Sequence, residues 1–355
     1  MKIPILRHTQ KSFAEAVESH FGKGGLHAKK LYSAWWKNRW DDLSSWVEPQ
    51  ALSLVQAICE CVDSELPVYI REKQEESTTK FLLRLSDGLE TESVLIPMEA
   101  GVTLCISSQI GCRMGCTFCE TGRMGLIRHL RAEEIVAQAA FAKRELRKQV
   151  RNIVFMGMGE PLDNFEEVMR AVMVLTDPAG GGWGPSRITI STSGHVEGIY
   201  RLIDEADPAI NLAVSVNAPN DASRQKIMPV NRRWNMERLK QAMADYCSHP
   251  RREIFVEYVL LDGINSSLEA AQQLAEYLDG LRVRINLIPY NPQSCDKFLP
   301  PPVDIIENFI AYLRGHGFRV LLRQPKGQDI MAACGQLGNP ALRAQIRQAK
   351  LNPIC

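Results

Sequence analysis

Three cysteines stand close together as Cys112-Arg-Met-Gly-Cys116-Thr-Phe-Cys119. Three thiolates on one short loop can converge on a soft metal centre. A structural zinc site asks for four protein ligands, and no fourth Cys or His follows at the usual short spacing. A four-iron cluster held by only three cysteines would instead keep one iron open to an outside ligand. Three ordinary thiols in a loop, or a zinc ion with a distant fourth ligand, are the blander readings. Downstream, Gly157-Met158-Gly159-Glu160-Pro161 joins glycines that let backbone amides approach a ligand to a carboxylate able to accept from an ammonium group. Ser191-Thr192-Ser193-Gly194, Ser215-Val216-Asn217 and Asn291 add hydroxyls and amides that could meet a polar cofactor, or could merely form turns. Cys334 lies between Ala332-Ala333 and Gly335. Such small neighbours leave its thiol accessible and its loop free to move, although a lone cysteine is ordinarily a small buried hydrophobe.

Most of these residues fall where strand-like runs end. From about Thr103 the runs VTLCISSQI, NIVFMGM, RITISTS, INLAVSV, EIFVEYVLL, RVRINLI and FRVLLR alternate with helical stretches such as FEEVMRAVMVL and LEAAQQLAEYL. This alternation predicts parallel strands with helical crossovers, as a partial or full β/α barrel or a doubly wound sheet. In a barrel, reactive residues belong at the C-terminal strand ends. The first hundred residues differ. Three helical pieces between Phe13 and about Cys61 are followed by strands near Phe81–Leu85 and Ser93–Ile96, with Asp87-Gly88 as the hairpin turn. The 355 residues are 45% hydrophobic and 23% charged, which excludes a disordered or fibrous chain. A net charge of +1 argues against a strongly cationic nucleic-acid coat protein. Neither a membrane span nor an export signal is expected, so the ten cysteines are read as mostly reduced thiols in a cytoplasmic protein.

The spacing Cys-x3-Cys-x2-Cys resembles the cluster motif of radical S-adenosylmethionine (SAM) enzymes. Together with CISSQIGCRMGCTFCETG, GMGEPLDN, STSG, LAVSVNAPND, LIPYNP and DIMAACGQL, the stretch from about Glu92 to Leu337 resembles the RlmN/Cfr family of RNA methyltransferases. The resemblance implies a radical SAM-type β/α barrel, partial or full, with a small N-terminal helical domain. It divides the chain into an accessory domain (1–75), a hairpin or linker (76–101), the barrel (102–325) and a C-terminal segment carrying a methylated cysteine (326–355). Cys112, Cys116 and Cys119 are implied to hold a 4Fe-4S cluster. Gly159, Glu160, Ser191, Ser215, Val216, Asn217 and Asn291 are implied to hold SAM, with Asn217 standing where the family usually has His. Cys334 is implied to carry the methyl group, Cys105 to release the product through a transient disulfide, and Glu92 to accept a proton. Cys59, Cys61, Cys247, Cys295 and Cys355 match nothing functional.

An electron-poor adenine carbon does not attack the methyl of SAM as a nucleophile would, so the resemblance implies a radical route that consumes two SAM molecules. Carbon 2 is expected as the target, with carbon 8 as the rival position. A non-catalytic zinc-containing RNA-binding protein is the rival from another class. Ribosomal or transfer RNA and a flavodoxin-type electron donor are the implied partners. The target base must be exposed or extruded to reach the radical. Arg123, Arg128, Arg131, Lys226, Arg232 and Arg233 are candidate phosphate contacts. The basic and aromatic stretch Lys29–Trp40 could touch RNA, although its tryptophans are better read as core.

Overall fold

The computed structural model describes residues 2–40, 46–293 and 297–338. The remainder of the C-terminal segment, together with Cys295 and Cys355, lies outside the described residues. One ten-stranded sheet organises the molecule. Its strands are β1 (Val68–Glu75), β2 (Thr78–Arg84), β3 (Glu90–Met98), β4 (Gly101–Cys105), β5 (Val150–Phe155), β6 (Ile188–Thr192), β7 (Asn211–Ser215), β8 (Ile254–Leu260), β9 (Val283–Pro289) and β10 (Arg319–Leu322). They neighbour one another in chain order. The first four form an antiparallel meander, and β4 to β10 are parallel.

That order settles what periodicity left open. A doubly wound sheet needs a point where the strand order reverses, and there is none here. Right-handed crossovers all running the same way put the helices on one face and leave the other concave. The sheet is also unclosed: β10 pairs with β9, while β4 has β3 and β5 as its neighbours. The body is therefore a partial barrel.

The crossover helices show the apolar spacing that this layering demands. In Phe165–Thr176 the buried side chains include Val168, Ala171, Val172 and Leu175, and in Met236–Cys247 Leu239, Ala242, Met243 and Tyr246. On the strands the helix-facing positions are apolar, as in Ile188, Ile190, Leu212, Val214, Ile254 and Val256. Alternate positions carry Thr189, Ser191, Ser215, Glu257 and Asn286 into the concave face.

At the N-terminus, helices α1 (Gln10–Phe21), α2 (Gly25–Trp36) and α3 (Leu52–Cys61) pack around Phe13, Val17, Leu31, Val55 and Ile58. Thr9 caps α1 through Ser12, and Gly22 ends it in the left-handed conformation. Trp35 and Trp36 are buried, so the core reading of those rings holds. They meet the barrel through Arg144 over Trp35 at 3.8 Å and Lys143 over Trp36 at 5.5 Å. Arg7 adds bonds of 2.9 and 2.7 Å to Glu133 and Glu167 on the outer helices.

One boundary moves. The expected division at residues 75 and 76 falls in the turn between β1 and β2, so residues 68–75 belong to the sheet and not to the helical unit. The strand escaped notice because β1 is an edge. Its exposed VYIREKQE lacks the apolar alternation of a covered strand, and its charges guard the open side.

Candidate active site

The loop between β4 and the short helix α4 (Glu120–Met124) carries Cys112, Cys116 and Cys119. It is tightly folded. Gly111 adopts a φ of 75°, and a Cβ there would stand 1.9 Å from the carbonyl oxygen of Gly125. Cys119 N–H donates to the Cys116 carbonyl at 3.2 Å, and Cys112 N–H to that of Gly125 at 3.2 Å. All three thiols line one cavity. Burial pushes each thiol up: Cys112 well above its ordinary value, Cys116 to about 12, and Cys119 in the same direction. Loading a metal group must therefore displace protons. Among the described residues, no three Cys, His, Asp or Glu side chains are grouped as ligands of a single ion. Three thiols lining one cavity, with no fourth protein ligand grouped with them among the described residues, suit a polynuclear cluster that takes one thiolate per iron better than a lone zinc.

The C-terminal strand ends supply the rest of that cavity: Gly159, Glu160, Ser191, Ser215 and Asn217, with Cys334 reaching in from the segment after β10. Gly159 has a φ of 106°, and a Cβ there would lie 2.6 Å from Cβ of Gln109, so the backbone can turn only with glycine. Glu160 is buried. Its Oε2 accepts from Ser193 N–H at 2.7 Å and Ser193 Oγ at 2.8 Å, while burial raises its pKa. A buried carboxylate with a raised pKa is ready for a cationic group.

Asn217 sits at φ 57°, a left-handed position that Asn tolerates. Its Oδ1 accepts from Val259 N–H at 2.8 Å, so this amide also ties β7 to β8. Neighbouring Val216 is fully buried and does not line the cavity.

Two further expected residues, Asn291 and Glu92, surround the Cys334 loop. Asn291 is buried and donates to the Cys334 carbonyl at 3.2 Å, while accepting from Gln328 at 2.9 Å. Glu92 forms a buried ion pair with Lys80 at 3.0 Å and accepts from Gly338 N–H at 3.0 Å. Lys80 also donates to the Met331 carbonyl at 3.0 Å. Neither Asn291 nor Glu92 lines the cofactor cavity. Gln293 joins the loop to the cluster loop, donating to Phe118 and Gly335 carbonyls at 2.7 and 2.9 Å. The free loop expected from small neighbours is thus pinned on two sides, because long polar residues distant in sequence reach its backbone.

Cys334 lies deep between the barrel walls, yet its thiol is accessible because it faces open space. Burial by the surrounding protein raises its pKa, and Arg323 opposes the rise. A second cavity, of about 620 Å³, reaches Cys334 from the opposite end of the barrel, and Cys105 lines it as well. Burial raises the Cys105 pKa, with nearby Cys334 adding to the effect. All cysteines among the described residues are free thiols.

Sequence reading gave no role to Lys80, Gln293, Glu257 or Arg224, and read Ser193 only as part of the Ser191–Gly194 stretch. Glu257 is a buried carboxylate in the cofactor cavity, bonded by Asn286 at 2.7 Å and paired with Arg323 at 3.6 Å. The signal was available, since a charge inside the apolar run EIFVEYVLL is costly unless it faces a site. Ser193 aims Glu160, as described above. Arg224, fully buried, donates to the carbonyls of Ser193, Val216 and Ser215 at 2.7, 3.0 and 3.2 Å and so knits two strand ends. Nothing local in the sequence distinguishes it from a surface arginine.

Several expected phosphate contacts are engaged elsewhere. Arg128 pairs with Asp87 and Glu134, both at 2.7 Å; Arg131 pairs with Glu133 and Glu134, both at 3.3 Å; and Arg123 bonds Glu120 and Gln293.

The Radical SAM superfamily model matches residues 106–278. A probable dual-specificity RNA methyltransferase RlmN 1 from Protochlamydia amoebophila is 52% identical over 97% of this chain and 97% of its own length. The dual-specificity RNA methyltransferase RlmN of Lawsonia intracellularis is 39% identical, covering 94% of this chain and 96% of that one. A crystal structure of a radical SAM methyltransferase from Sphaerobacter thermophilus superposes with a TM-score of 0.87 at 37% identity, over 94% of this chain and 98% of that one.

Proposed function

Since the chain belongs to the RlmN family of radical SAM RNA methyltransferases, which use a 4Fe-4S cluster and SAM, we propose that it methylates carbon 2 of an adenine in ribosomal or transfer RNA through a methylated Cys334. The observation that carries this reading is the position of Cys334, which lines both the cofactor cavity and the cavity containing Cys105. When bound, the cluster and two SAM molecules supply a methyl group and a hydrogen-abstracting radical.

The chain's own residues do the rest. Cys112, Cys116 and Cys119, whose thiols line one cavity, would hold the cluster. Glu160, oriented by Ser193, accepts the amino group of SAM; Gly159 lets the backbone come close, and Ser191, Ser215 and Asn217 fix the remaining polar groups. Val216, whose N–H donates to the Glu257 carbonyl and whose own carbonyl accepts from Arg224, supports the strand end from behind the cavity, and Asn291 acts through the loop that it holds. Cys334 Sγ takes the methyl as a thioether and presents it to the base. Loss of a hydrogen atom from that methyl allows its carbon to join the ring. The ring adduct would give one electron back to the cofactor site and its ring proton to Glu92. The Cys105 thiolate would then attack Cys334 Sγ, forming an S–S bond as the bond from sulfur to the product carbon breaks, and that carbon would take a proton to become the methyl group. A flavodoxin-type protein returns electrons. No helix among the described residues is long and apolar enough to cross a membrane, and a cytoplasmic site of action is part of the proposal.

The test is mass analysis of nucleosides from cells with and without the protein, repeated with Cys334→Ala. Dependence of 2-methyladenosine on the protein and on Cys334 is expected. An 8-methyladenosine product would move the target carbon, and loss of neither isomer would overturn the function.

A further inference from the structure

The geometry points to a nucleotide-binding channel at the N-terminal ends of the barrel strands, opposite the cofactor. The cavity of about 620 Å³ begins at the starts of β6, β8, β9 and β10 and ends inside the barrel at Cys105, Met156 and Cys334. Met156 and Cys334 also line the cofactor cavity, so the two spaces meet at the thiol. The inference rests on the function proposed above and adds the route by which RNA arrives.

The lining has the chemistry of a nucleic-acid contact. Arg187, Arg284, Arg314, Arg319 and Arg323 face it, with no Asp or Glu among its described lining residues. Arg284 pairs with Glu253 at 2.7 Å and Arg323 with Glu257 at 3.6 Å. Arg187 and Arg319 are exposed at the rim and take part in no ion pair among the described residues. Phe255 and Phe318 give apolar walls, and the amide oxygens of Asn152, Asn211 and Asn286 offer acceptors for a base edge, while their amide nitrogens donate to Thr103, to Ser186 and Ile188, and to Glu257. Arg319, Arg284 and Phe255 share one level of the sheet and Asn286 lies two residues further in, an order that would hold phosphate and sugar of one extruded nucleotide at the rim and its base edge at Asn286. Net charge gave no hint of this, because +1 overall averages out a local cluster.

The position also satisfies the chemistry. The carbon carried by Cys334 must meet the cofactor on one side and the base on the other. A base arriving through the same opening as SAM would compete with it for space, whereas one arriving from the far end meets Cys334 first and Cys105 beside it.

The test uses the holoenzyme with ribosomal RNA and bulk transfer RNA from cells that lack it, measuring affinity as a function of salt. Arg187→Glu/Arg319→Glu should weaken binding at least tenfold at about 0.1 M salt. It should also flatten the log–log salt slope by about 1.4, at ~0.7 per single-strand phosphate contact. Arg187→Lys/Arg319→Lys should retain most of the affinity, separating charge from folding. Unchanged binding in the Glu variant overturns the channel alone. The channel also falls if Lys226→Glu/Lys297→Glu, in the cavity beside the cluster loop, abolishes binding while the Arg187→Glu/Arg319→Glu variant keeps it. Wild-type protein that binds neither RNA overturns the proposed function together with the channel.

Discussion

At the scale of single residues, the proposed chemistry turns on Glu160 and Cys334. Burial raises the Glu160 pKa in the free protein. A cationic amino group binds the charged carboxylate, so SAM affinity should fall as pH drops through that raised value and recover above it. Equilibrium dialysis of SAM from pH 5 to 8 measures this. A Glu160→Gln variant should bind more weakly and lose the pH dependence, while flat binding in the wild type would remove Glu160 from the amino-group site. Gly159→Ala tests the neighbouring backbone. A Cβ 2.6 Å from Gln109 at a φ of 106° should cost about 1–3 kcal/mol of stability and weaken SAM binding at least tenfold, read by denaturation and dialysis together. The sequence made Glu160 legible through its glycine-flanked motif. Glu257 and Arg224 went unread because their meaning depends on which strand faces them.

Among the elements, the loop bearing Cys334 depends on strands far away in the chain. The Lys80–Glu92 pair is buried on both sides and bonds this loop at Met331 and Gly338. Breaking such a pair from one side leaves an uncompensated charge and costs roughly 3–5 kcal/mol. Lys80→Met should therefore lower stability by that order and abolish methyl transfer while SAM binding persists. The double variant Lys80→Met/Glu92→Gln should regain much of the stability. Because Glu92 is itself the proposed proton acceptor, the positioning role of Lys80 is read from Lys80→Arg, which keeps the charge and should retain methyl transfer where Lys80→Met does not. Equal stability of the wild type and Lys80→Met would contradict this account. The hairpin that carries both residues was visible in the sequence from its Asp87-Gly88 turn, but its partnership with the Cys334 loop was not, since the two are about 250 positions apart.

On the scale of the whole molecule, the helical unit docks on the outer helices of the barrel, away from the concave face. Its Trp35 is core rather than contact surface, so Trp35→Ala should cost ~3–5 kcal/mol. RNA affinity, corrected for the folded fraction, should stay within about twofold; a tenfold loss would return that ring to the RNA interface. Two cavities of the open barrel meet at Cys334, which in the proposed reaction would let cofactor and base approach without displacing one another.

The sequence alone determined the chemistry in short motifs and the parallel βα body, because both depend on local signals: cysteine spacing, glycine turns and apolar periodicity repeated along the chain. Tertiary structure decided that the sheet stays open in chain order, that β1 joins it, that Asn291 and Glu92 brace the Cys334 loop outside the cofactor cavity, and that the arginines gather at the far rim. These are contacts between segments far apart in the chain. No local pattern encodes them, since strand pairing and convergence of side chains exist only once the sheet has formed.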